Sequence, residues 1–112
     1  MKIAIPVTDG VLDPHFGHCK NFAMFDVDKD NNQVTKVTSV EAPPHEPGLL
    51  PKWLGDHHVS MVITGGMGQR AISLCNDNGI NVVLGAQPQP AAVLIDDFLA
   101  GRLQAGGNAC DH

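Results

Sequence analysis

Apolar and polar positions alternate along the chain in short blocks, and most blocks carry one clear period. Residues 2–7 hold Ile3, Ala4, Ile5 and Val7 in a short apolar run that ends at Thr8-Asp9-Gly10, which predicts a buried strand and a turn. Residues 21–27 bring Phe22, Met24, Phe25 and Val27, a second strand, and the polar run 28–32 reads as a hairpin turn. Val34, Val37 and Val40 within residues 33–40 predict a third strand. The three together make an antiparallel meander. A helix is expected to begin near Pro47, since proline suits a first helical turn; its apolar face is Leu49, Leu50, Trp53 and Leu54, with Pro51 still close to that turn. Residues 59–64 form a short buried strand, and residues 69–78 a helix with Ala71, Ile72 and Cys75 on one face and Gly79 as its stop. Residues 81–84 make a fifth strand and residues 91–103 a last helix carrying Val93, Leu94, Phe98 and Leu99.

The element order β-β-β-α-β-α-β-α gives one domain over residues 1–103, followed by a loose tail at 104–112. Right-handed crossovers make the last two strands parallel to the first. The expected fold is α/β and ribonuclease H-like: a five-stranded mixed sheet in the order 3-2-1-4-5 with helices on both faces. Strands one, three, four and five then run the same way. Loops 8–20, 41–48, 64–68 and 85–90 should gather at their carboxyl ends, where open α/β sheets bind ligands.

Composition narrows what can bind there. Seven basic against twelve acidic residues give a net charge of −5, and the basic residues are scattered, so nucleic acid is not expected as a partner. No apolar run is long enough for a signal peptide or a membrane span, which places the protein in the cytoplasm. Cys19, Cys75 and Cys110 are odd in number and widely spaced, so they are no disulfide framework; the absence of a CxxC pair excludes a four-cysteine zinc or iron–sulfur site.

The chemistry-bearing residues fall in the loops. His15-Phe16-Gly17-His18-Cys19 groups imidazole and thiol donors that suit copper, zinc and metal–sulfur species, and Gly17 lets both histidines face one point. The competing reading is a solvated histidine pair with Cys19 as a small core residue. Thr64-Gly65-Gly66-Met67-Gly68 joins a strand to a helix, where amides and the helix dipole favour an anion; it lacks the lysine of a phosphate-binding P-loop and equally fits an ordinary strand–helix turn. His45 overhangs the same edge from a proline-rich loop, His57 and His58 suit a helix end, and Cys75 suits the core. No serine stands in a nucleophile elbow. Asp9, Asp13, Asp26 and Glu41 are too few and too dispersed for a two-metal nuclease, so an enzyme is not expected.

The segments MKIAIPV at the start, HFGHC at 15–19, VITGGMGQRA at 62–71 and FLAGRL at 98–103 together resemble the dinitrogenase iron–molybdenum cofactor biosynthesis family. The resemblance spans nearly the whole chain in order. It implies a ribonuclease H-like fold and a carrier or store for metal–sulfur clusters, including a mixed molybdenum–copper sulfide held without a conventional set of protein ligands. It also implies a protein donor or recipient of the cluster. By position, His15, Phe16, Gly17, His18, His45, Gly65, Gly66, Met67 and Gly68 would contact the cluster, with His15, His18 and Cys19 as metal donors. Relatives often carry a longer glycine-rich segment where this chain reads Pro43-Pro44-His45-Glu46-Pro47. Such a cluster is a bulky anion whose sulfides already satisfy its metals. It asks for amides, imidazoles and apolar walls, with Lys20 and Arg70 balancing charge, and a local field that overcomes the global −5. The alternatives are a mononuclear copper or zinc trafficking module on His15, His18 and Cys19, and a small enzyme acting on a phosphorylated substrate at the glycine turn.

Overall fold

The computed structural model describes residues 1–13, 19–44, 46, 48–101 and 103. The elements run β1 (Lys2–Thr8), β2 (Val11–Leu12), β3 (Asn21–Asp28), β4 (Gln33–Glu41), α1 (Leu49–Asp56), β5 (Met61–Ile63), α2 (Gln69–Asp77), β6 (Asn81–Val83) and α3 (Ala91–Leu99). The sheet is ordered β4-β3-β1-β5-β6, with β2 added beside β1. β1 is antiparallel to β3 and parallel to β5, and β5 is parallel to β6. β4 is antiparallel to β3 and so runs with β1. The five longer strands thus lie in the expected order, but the sheet has six strands rather than five.

The sixth strand was hidden by its length. Asp9 and Gly10 both take positive φ (56° and 82°), forming a two-residue turn of the type that matches the twist of paired strands. That turn folds Val11 and Leu12 back onto Thr8 and Val7. The Asp-Gly pair is a hairpin signal, yet two residues carry no readable period, and the loop expected over 11–20 therefore begins as a strand.

β2 has a place because β5 stops short. Parallel pairing of β1 with β5 covers only Ile3 and Ala4, so the upper half of β1 needs another partner on that side. Val7 pairs with Asn21 of β3 on one side and with Leu12 of β2 on the other. Pro6 sits at this transition. The Val27 amide donates to the Met1 carbonyl (2.7 Å), which sets the ladder phase so that residues 3, 5 and 7 exchange hydrogen bonds with β3. The missing N–H of Pro6 therefore falls on the side that β5 has left, and its carbonyl there accepts the Asp13 amide at 2.9 Å.

Period-two alternation sorts the apolar side chains onto two faces. Ile3, Ile5, Val7, Phe25, Val27 and Ile63 pack under α3 through Leu94 and Ile95. Ala4, Phe22, Met24 and Val62 pack on the other face under Leu54 of α1 and Cys75 of α2. Each of the larger side chains contributes about 1.5–3 kcal/mol on burial. Two helix ends differ from expectation. α1 starts at Leu49 behind Gly48 (φ 78°), with Pro51 buried in its first turn, while Pro47 lies outside the described residues. α3 ends at Leu99 rather than 103, because Gly101 (φ 73°) takes the left-handed conformation and its amide donates to the Phe98 carbonyl. The tail at 104–112 lies outside the described residues.

His58 makes the corresponding turn after α1 at φ 64°, where a side chain is strained, and its amide donates to the Gly55 carbonyl. His58→Gly should stabilise the fold by roughly 0.5–1 kcal/mol. Gly10→Ala, at φ 82°, should destabilise it by roughly 1–2 kcal/mol. Urea midpoints read both signs.

Candidate functional site

β1, β4, β5 and β6 end at the same edge of the sheet, and backbone hydrogen bonds stitch the segments that follow them into a continuous rim. The Ala42 amide donates to the Lys20 carbonyl at 2.9 Å, and the Lys20 amide to the Val7 carbonyl at 3.2 Å. The Leu12 amide reaches the Gln89 carbonyl at 3.0 Å, and the Ala91 amide reaches the Gly10 carbonyl at 3.4 Å. From there the Gly85 amide donates to Gly65 (3.0 Å) and the Ala86 amide to Thr64 (3.3 Å). Segments far apart in sequence are thereby set side by side.

His15, Phe16, Gly17, His18 and His45 lie outside the described residues. Both residues that flank the 14–18 segment are described, and both sit at the top of β1. Asp13 is tied to Pro6, and Thr8 Oγ1 donates to Asp13 Oδ2 at 3.0 Å. Thr8 Oγ1 also accepts the Lys20 amide at 3.3 Å. The segment therefore leaves and re-enters the fold at the centre of the rim, one strand away from the glycine turn.

In that turn Gly65 and Gly66 are buried, and the Thr64 hydroxyl donates to the Gly66 carbonyl at 3.3 Å. Met67 has its side chain in the core, where the Cys75 thiol lies 3.9 Å from its sulfur. The large side chain of Met67 thus anchors the turn to the core. Gly68 is exposed, precedes α2 with ordinary extended angles, and a Cβ there would meet no atom within 4 Å.

Electrostatics along the rim come from the helices. α1, α2 and α3 all start there, following β4, β5 and β6. None has a side-chain cap among the described residues, and none carries an acid in its first turn. Proteins commonly use those two devices to neutralise a helix N-terminus, which carries about +0.5 of an elementary charge. Arg70 adds an exposed cation in the first turn of α2.

Cys19 is half-buried against the core cluster beneath the rim. Its thiol is pushed up to about 12, by burial first and the Asp13 carboxylate second, against a smaller opposing effect of a backbone hydrogen bond. It therefore keeps its proton at neutral pH. An open groove of about 600 Å³ runs beside it, lined by Cys19, Lys20, Asn21, Ser39, Glu41 and Pro43. The residues from β3 and β4 were not legible as site residues, because only the register Asn21↔Glu41 and Ala23↔Ser39 brings them together. Cys75 is buried in the core and its thiol is raised to about 11 by desolvation. Among the described residues no three His, Cys, Asp or Glu side chains converge as a metal site, and no helix is long and apolar enough to cross a membrane. Asp9 lies in the β1–β2 turn and Asp26 pairs across the sheet with Lys36, away from Asp13 and Glu41.

The profile of the dinitrogenase iron-molybdenum cofactor family matches residues 1–101. The protein MJ0580 of Methanocaldococcus jannaschii is 26% identical over 107 residues, covering 93% of this chain and 90% of its own. The crystal structure of PH0822 superposes with a TM-score of 0.86 at 35% identity, covering 94% of each chain. The apo form of the orange protein from Desulfovibrio gigas superposes with a TM-score of 0.72 at 22% identity, over 96% of this chain and 93% of that one, and shares the fold.

The two raised thiols give the fold an alkaline limit. Unfolded cysteine ionises near about 8.5, so the unfolded chain loses these protons first. Stability is fully present below that pH and falls as pH rises towards 11 and 12. The Cys19→Ser/Cys75→Ala variant should lose less stability than the parent between those limits in urea titrations. Asp13→Asn should shift the pH profile of Cys19 alkylation to lower pH, by removing the carboxylate's repulsion of the thiolate.

Proposed function

The chain belongs to the dinitrogenase iron-molybdenum cofactor family, and from that premise we propose that it binds, stores or passes on an anionic metal–sulfur cluster at this rim without catalysing a reaction. The observation that carries the proposal is the set of three helix N-termini opening at one edge, with neither side-chain caps nor acids in their first turns. These helix ends and the exposed Arg70 supply positive charge at the rim, beside the carboxylates of Asp13 and Glu41, in a chain of net charge −5. The cargo class is a molybdenum–copper sulfide or an iron–molybdenum cofactor type of cluster. The strand order supports a ribonuclease H-like fold extended by the β1–β2 hairpin.

The residue roles follow from the same geometry. Amides of the turn Gly65, Gly66, Met67 and Gly68 donate to sulfide. His15, Phe16, His18 and His45, on segments rooted at the rim, supply imidazole and apolar contact, with Gly17 giving the backbone room. Lys20 and Arg70 balance charge. The cluster comes from or goes to another protein, in the cytoplasm, and neither nucleic acid nor membrane is a partner. The mononuclear copper or zinc reading uses His15, His18 and Cys19, the last as a thiolate whose proton the metal displaces.

Reconstitution with tetrathiomolybdate and Cu(I) should give intense visible bands with molybdenum, copper and acid-labile sulfide retained through gel filtration. A single metal bound without sulfide, and lost in the His15→Ala/His18→Ala variant, would instead establish the mononuclear module. In the cluster reading that double variant loosens retention, while Cys19→Ser leaves the bands in place and lowers only stability.

Gly68 separates binding from folding. Gly68→Asp fits the extended angles and the open space, and supplies α2 with the missing cap. It should stabilise the protein by roughly 1 kcal/mol, raising Tm by about 4–8 °C. The same carboxylate occupies and neutralises the anion-facing end, so cluster affinity should fall at least about tenfold. A variant that is both more stable and equally able to bind would rule out the helix-end site.

A further inference from the structure

We propose that the outer edge of β4 is a self-association surface, where a second copy of this chain adds its own β4 antiparallel with Ser39 on the two-fold axis. The inference goes beyond the cluster-binding reading and does not depend on it.

β4 is the last strand on its side of the sheet, and among the described residues nothing pairs with its outer side. At 9 residues it is the longest strand, whereas the opposite edge, β6, has 3. Residues 35–39 are exposed on both faces, so neither helix layer extends over them. Val37, 60% exposed, is the most exposed large apolar side chain among the described residues. The hydrogen-bond ladder sets which backbone groups face outward. The Ala42 amide donates to the Lys20 carbonyl, one step beyond the pairing of Asn21 with Glu41. Alternation then turns the amides and carbonyls of Lys36, Thr38 and Val40 towards β3 and those of Val37, Ser39 and Glu41 away from it.

Proteins guard such an edge with lysines and bulges. Here both guards lie at one end: Lys36, and the register shift at Asp26 and Val27 that leaves Thr35 without an opposite residue. The open stretch is 37–41. Antiparallel pairing of that stretch with itself has its axis at Ser39. Ser39 of one copy then faces Ser39 of the other and Val37 faces Glu41, each pair exchanging both backbone bonds. An axis at Val37 would instead run Ser39 into the bulge. On one face Val37 packs on the methylenes of Glu41, and on the other Thr38 meets Val40. No like charges stand opposite, since Lys36 faces Ala42. This fit of the stretch to itself favours a second copy over an unrelated strand.

Sedimentation equilibrium of the full chain should show the mass of one copy rising towards that of two as concentration approaches the millimolar range. Amide exchange read residue by residue by NMR should then show Val37, Ser39 and Glu41 gaining protection, with Lys36, Thr38 and Val40 unchanged. Ser39→Pro removes the amide on the axis without touching the bonds to β3, and should weaken dimerisation at least about tenfold. Ser39→Lys, at an exposed position, sets two ammonium groups opposite each other and should weaken it about fivefold, which keeps the test intact if the proline variant fails to fold. Opposite Cα atoms of an exchanging pair lie about 5.5 Å apart, within the span of a disulfide, so Ser39→Cys should crosslink to itself under mild oxidation and Val37→Cys should not. A chain that stays monomeric, a dimer unaffected by both Ser39→Pro and Ser39→Lys, or crosslinking at Val37→Cys instead of Ser39→Cys overturns the proposal. Protection of the same three amides by an added unrelated peptide, in a chain that remains monomeric, would make the edge a docking strand for another protein and likewise overturn it.

Discussion

β1 is longer than the parallel strand beside it. What fills the difference ties the segments of the rim together. Parallel pairing with β5 ends at Ala4, and above that point the strand presents unpaired backbone on its β5 side in the middle of a sheet, which the fold cannot leave buried and unsatisfied. Three features meet the demand together. Pro6 removes one donor, the Asp-Gly turn folds β2 into the vacancy, and Asp13 donates its amide to the Pro6 carbonyl. Because β2 then bonds to the segment before α3, the top of the central strand becomes the hub that holds the rim together.

That hub ties together segments that lie far apart in the sequence. Thr8, Lys20, Ala42, Gly65 and Gly85 are held by backbone hydrogen bonds or strand pairing. The large residue of the glycine turn, Met67, is committed to the core against Cys75, which fixes the turn from below.

The charge distribution is opposed at two scales. The whole chain is acidic, which favours solubility and repels anions at long range. At the rim, three helix ends without side-chain caps among the described residues and the exposed Arg70 supply positive charge beside the carboxylates of Asp13 and Glu41. Cys19, by contrast, stays neutral because it is half-buried beside a carboxylate.

Much of the architecture was present in the chain itself. The period-two alternation in β1 and β3, the apolar stripes of the helices and the order of elements determined the five main strands, their neighbours and the edge where the loops collect. Tertiary structure decided the rest, because it depends on register and on length differences between neighbours. Whether Val11 and Leu12 form a strand depends on where β5 stops; whether Met67 faces ligand or core depends on how the glycine turn sits over Cys75; and Asn21, Ser39 and Glu41 meet Cys19 only through the pairing of β3 with β4. Local pattern records which faces are apolar, whereas a site is made where separate elements end, and no single segment encodes the position of another segment's end.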